Sequence, residues 1–89
     1  MQVDIDNPEF QGMIAKLRKQ LGQPAIDRVR DRYITDLSDS SSAFYAGMVS
    51  ALIHCLDVEM NTPTEDESRA RHYGAMIVAL ADKLGQSQN

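Results

Sequence analysis

In this 89-residue chain, His54, Cys55, Asp57 and Glu59, with His72 further on, are the side chains best suited to bind a metal or act as a nucleophile. A metal site needs three or four such donors converging on one point. On a helix, His54 and Cys55 diverge by about a quarter turn. His72 falls on the polar side of its own segment. No Glu-x-x-His, Cys-x-x-Cys or His-Glu-x-x-His motif occurs, and these are the spacings that gather donors around one turn or on one helix face. No metal is expected. The same divergence denies Cys55 a histidine base, so it is expected to be a small buried hydrophobe.

Other enzyme chemistry finds no better footing. Ser40, Ser41 and Ser42 have no histidine at a recognisable spacing, and the chain contains no phosphate loop or dinucleotide fingerprint. Glu65, Asp66 and Glu67 read as the acidic first turn of a helix rather than as an acid–base pair. The chain is expected to be non-enzymatic and to need no cofactor.

The helices that would position these residues are announced by three prolines, in Asn7-Pro8, Gln23-Pro24 and Thr62-Pro63. Proline suits the first helical position, where its missing amide has no intrahelical partner. Asn7 and Thr62 are good N-caps, Thr62 to Glu65 has capping-box spacing, and Gln23 is a poor cap. The expected helices cover about residues 8–21, 24–37, 41–60 and 63–84 of one all-α domain spanning 1–89. Residues 1–6 and 86–89 are expected to be tails. The first helix places Phe10, Ile14, Leu17 and Leu21 on one stripe. Gly22 suits its end. The second aligns Ile26, Val29, Tyr33 and Leu37, with Ile34 to one side and Arg30 inside the apolar arc, its stem on the core edge and its head in water.

The third helix is apolar almost all round and is expected to be the central core helix. One half of its wheel holds Phe44, Tyr45, Met48, Val49, Leu52, Ile53, Cys55, Leu56 and Met60. The other holds Ala43, Ala46, Gly47, Ser50, Ala51, His54 and Asp57, with Val58 the only larger apolar residue, a small face that would let another helix come close. Ala43, Ala46, Gly47, Ser50, Ala51 and His54 are therefore the candidate oligomer interface, with exposure to water as the other reading. Asn61 suits a left-handed helix end. In the fourth helix Tyr73, Met76, Ile77, Leu80 and Leu84 form the core stripe and Gly85 the stop. The third and fourth helices are expected to form a long antiparallel hairpin of a small four-helix bundle. Apolar surface on the third helix beyond what the others cover would predict a homodimer.

The net charge of −4 hides a division. Between positions 16 and 32, six basic residues meet only Asp27 and Asp31, leaving +4, while the remainder carries −8. Either the two halves complement each other, or Lys16, Lys19, Arg28, Arg30 and Arg32 bind an acidic or anionic partner. In outline the first two helices resemble a helix-turn-helix, with Arg28 and Arg32 toward phosphates. Against DNA stand Asp27, Asp31, the negative overall field and the lack of an aromatic platform. The acids are too scattered for mimicry of DNA. One cysteine excludes an intrachain disulfide, and the acidic N-terminus lacks secretory character, so a cytoplasmic setting is expected. The apolar run Ala46–Leu56 is expected to be too short to span a membrane. These residues point to a protein–protein interaction module of adaptor or inhibitor type that self-associates. The alternative is an anion- or DNA-binding module using residues 16–32.

Overall fold

The computed structural model describes residues 3–37, 39–61 and 67–87. Among them the fold is all-α, with four α-helices and no strand. The predicted cap at Thr62 and the capping-box residues after it lie outside the described residues, as does Ser38.

Helix α1 (Pro8–Leu21) begins where the sequence places it. The Asn7 side-chain oxygen accepts the Glu9 and Phe10 amides at 2.8 and 3.2 Å, satisfying two donors that have no intrahelical acceptor. Gly22, at φ 86°, ends the helix in a conformation that side-chain-bearing residues rarely adopt. The segment before α1 is not a frayed tail over residues 3–6. Val3 and Ile5 pack against the core, and the Ile5 carbonyl accepts from the Gln11 side-chain amide.

Helix α2 (Gln23–Val29) starts directly after Gly22, which takes the cap position expected for Gln23 and has no side chain to cap with. It does not continue as a regular helix to Leu37. A π-helical turn, Arg30–Ile34, follows, and then a 3-10 turn, Thr35–Leu37. The Thr35 amide donates to the Arg30 carbonyl, five residues back, and the Thr35 hydroxyl reaches the same oxygen at 3.1 Å. A π turn closes a wider loop than an α turn, so later side chains are displaced by about one position. That displacement corrects the predicted stripe. Ile34 is fully buried in the place expected for Tyr33, and Tyr33 is 45% exposed.

Helix α3 (Ser42–Met60) is capped by Ser41, whose hydroxyl oxygen accepts the Phe44 amide at 3.2 Å. It ends at Asn61, which is not left-handed (φ −102°) but bonds back through its amide side chain to the Asp57 carbonyl at 2.7 Å. Helix α4 (Glu67–Ser87) runs through Gly85 instead of stopping there.

The centre of the molecule is α4, not α3. Helices α1 and α2 and the π turn pack against α4, and α3 runs along it, its backbone close to no other helix among the described residues. Ala75, Ile77, Val78, Ala79, Leu80, Ala81 and Leu84 of α4 are all buried, whereas α3 buries only Tyr45 and Val49. Small residues explain how α4 can be enclosed. A Cβ on Gly74 would stand 3.2 and 3.4 Å from the Leu21 and Leu17 side chains, so α1 sits close against it there. At Gly47 of α3 a Cβ would meet nothing within 4 Å. Tyr45 supplies a further tie, donating its buried hydroxyl to the Leu37 carbonyl at the end of the 3-10 turn.

Candidate functional site

Two surfaces stand out, one apolar and one basic. The apolar surface is the side of α3 turned away from α4. Successive turns expose Ala43, Gly47, Ser50, Ala51 and His54, and Phe44, Cys55 and Val58 stand exposed along the same side. Ala46 is half-buried. Thus the small face of the third helix points outward, and Cys55 is a free, exposed thiol rather than the buried residue expected. No Asp, Glu, Lys or Arg occurs from Ser42 to Leu56. By length and composition α3 could cross a membrane. Its 19 residues rise about 28 Å, a longer stretch than the run Ala46–Leu56, which Ser50 and His54 interrupt.

The basic surface is a groove of about 340 Å³ between the α2–π-turn segment and the first half of α4. Arg28, Arg32 and Tyr33 line one wall and Ser68, Arg71 and His72 the other, over a floor that includes Val29 and Ala75. The π turn brings Tyr33 here by rotating it out of the core. Its ring meets His72 edge-on, with centroids 5.5 Å apart at 87°, and the Arg32 guanidinium lies 5.5 Å from its centre. Among the described residues, no carboxylate lines the groove.

The five basic candidates therefore separate. Arg28 and Arg32 enter the groove. Lys16 and Lys19 are exposed on α1 and do not line it. Arg30 turns onto its own segment, pairing with Asp27 at 2.9 Å and Asp31 at 3.1 Å, half-exposed as a snorkelling residue would be. Hydrogen bonding to Asp31 and that carboxylate's charge raise the Arg30 pKa further. Asp27 is held below its ordinary value, first by the Gln23 side-chain amide, which donates at 2.9 Å, and then by the Arg30 charge.

Arg71 escapes a reading of the sequence, which weighs His72 only as a metal ligand. Both belong to the polar side of the fourth helix, and only the fold places that side opposite Arg28 and Arg32. Their available signal is the Ser68-x-x-Arg71-His72 spacing, which puts these residues on adjacent turns of one helix. His72 meets Tyr33, not His54, and no group of three metal-binding side chains forms among the described residues. The helix-turn-helix outline changes as well. Arg28 and Arg32 face a groove walled by α4 instead of projecting from an open recognition helix. No protein-family profile matches the chain, and no curated protein or solved structure is significantly similar to it.

Proposed function

We propose that this chain is a small non-enzymatic protein–protein interaction module that pairs with a second copy of itself through the exposed side of α3. In this reading α3 and α4 form the long antiparallel hairpin of a bundle-like domain, and α3 of one protomer lies against α3 of the other. The observation that carries the proposal is an apolar helix covered on one side only. Burying Phe44, Val58, Ala43 and Ala51 removes apolar surface from water. The outward small residues let two helix backbones approach closely, as Gly74 does within the chain.

A second copy meets the chemical demand of this surface. The occupant must be apolar and must not need a charged partner along Ser42–Leu56, and an identical helix satisfies both through a two-fold axis. Lipid fits less well, because Ser50, His54, Asp57 and Glu59 recur along the helix and would carry polar groups into the hydrocarbon.

Light scattering on a sizing column tests this across protein concentration and salt. A dimer is expected, with salt maintaining or strengthening it because each protomer carries −4. Ala51→Glu places a charge on the exposed side without disturbing the protomer, and a monomer should result. Alkylation of Cys55 should slow as the dimer forms. A wild-type chain that stays monomeric at every concentration would sink the proposal, and partition of that monomer into neutral lipid vesicles would assign α3 to a membrane instead.

A further inference from the structure

The chain has six arginines, and the structure sorts them into two groups of three. Arg18 pairs with Asp82 at 2.6 Å, Arg30 with Asp27 and Asp31, and Arg69 with Glu59 at 3.2 Å. Arg28, Arg32 and Arg71 form no ion pair among the described residues, and all three line the same groove. In an acidic protein this is a selective arrangement. Carboxylates outnumber basic side chains by thirteen to nine, yet among the described residues none lines the space these three cations share. Gathering like charges around one groove is unfavourable until an anion enters it.

We propose that the groove binds a compact phosphorylated ligand carrying a planar ring, of the size of a nucleoside monophosphate. A guanidinium presents a planar fork of donors that matches phosphate oxygens two at a time. Arginines from facing walls can grip a phosphate from more than one direction, and a dianion offsets the repulsion between them. The rest of the groove selects the body of the ligand. Tyr33 presents an accessible ring held edge-on by His72, with Arg32 already against it, and Val29 and Ala75 provide an apolar floor. A planar ring can stack in such surroundings, while a bare phosphate would use only the arginines.

Size and charge both separate this ligand from a nucleic-acid strand. A volume of about 340 Å³ lies at the small end of pockets for small molecules. At physiological salt, a small anion inside the groove is within a screening length of all three cations. A long polyanion must also approach the remaining surface of a chain whose net charge is −4. The groove is built from α2, the π turn and α4, so this site stands independently of pairing through α3.

Calorimetric titration of the full chain with adenosine 5′-monophosphate, inorganic phosphate and adenosine tests the proposal. The monophosphate should bind most tightly, phosphate more weakly and adenosine hardly at all. Arg28→Gln, Arg32→Gln and Arg71→Gln should each lower monophosphate affinity about ten- to hundredfold, the range expected for lost charge-assisted hydrogen bonds. Tyr33→Ala should lower monophosphate affinity and leave phosphate affinity unchanged. Lys16→Gln and Lys19→Gln, outside the groove, should change neither. All these positions are exposed, and matched circular dichroism spectra identify the folded variants to compare. No binding of monophosphate or phosphate at millimolar concentration would overturn the proposal. So would equal losses from the lysine and arginine variants, or tight binding of a short oligonucleotide without binding of the monophosphate.

Discussion

Helices α3 and α4 are nearly equal in length, 19 and 21 residues, and lie against each other, yet the protein uses them in opposite ways. The second half of α4 is enclosed by its neighbours, whereas α3 buries two side chains and leaves one side bare. By composition alone the roles should be reversed. Helix α3 is the more uniformly apolar, and α4 opens with arginines and a histidine. The difference shows that apolar content measures how much surface a helix gains by covering, not whether its own chain supplies the cover. Enclosure also requires neighbours on several sides, and Gly74 and the alanines of α4 give those neighbours room.

The contrast can be broken most strongly at the core. Leu80→Ala in α4 should destabilise the folded protomer by about 2–5 kcal/mol, the usual cost of a large-to-small change in a closed core. Phe44→Ala in α3 should change protomer stability by no more than about 0.5–1 kcal/mol, because Phe44 is already substantially exposed. Urea unfolding at low protein concentration reads both. Equal losses would mean that α3 is as deeply integrated as α4.

The two glycines sharpen the same comparison. Gly74→Leu should cost about 1–3 kcal/mol by forcing Leu17 and Leu21 aside. Gly47→Leu should leave the protomer unharmed, or gain up to about 1 kcal/mol from the higher helix propensity of leucine, while weakening self-association. Thermal unfolding paired with sizing separates these effects. An unchanged association state would show that the side of α3 bearing Gly47 is not the contact.

Smaller effects probe the supports of these helices. Tyr45→Phe should lose about 1 kcal/mol with the hydrogen bond to the Leu37 carbonyl, measured by chemical denaturation. Asp27→Asn should have the slightest consequence, and only at the right pH. The folded-state pKa of Asp27 lies below its unfolded value, so its stabilisation is present above the unfolded value. It is lost as pH falls through the folded value. Wild type and variant should therefore converge in unfolding experiments on the acid side of the carboxylate range, and a gap that persists there would assign the effect to something other than this titration.

Local signals in the sequence were read correctly where local chemistry is sufficient. Asn7 with Pro8 starts α1 and Gly22 ends it, each through bonds to backbone groups only a few residues away. Periodicity failed at the π turn, because a displacement of about one position exchanges Tyr33 for Ile34 in the core. Gly85 failed as a stop because a glycine permits a helix end without compelling one. Of the basic groove, Arg28 and Arg32 were legible as a pair one turn apart. Arg71 and His72 were not, since they come from a segment about 40 residues later.

Three things were legible residue by residue: that the chain is all-α, where most of its helices begin, and that the third helix is apolar almost all round. These follow from caps, prolines and side-chain spacing, whose effects act within a few residues. The packed fold set the rest: α4 takes the centre, the small side of α3 faces outward, and three arginines share a groove while the other three are neutralised. Those outcomes depend on which surfaces meet across the chain. Burial energy rewards the total area removed from water, without direction, so competing arrangements are resolved only when every helix is packed at once.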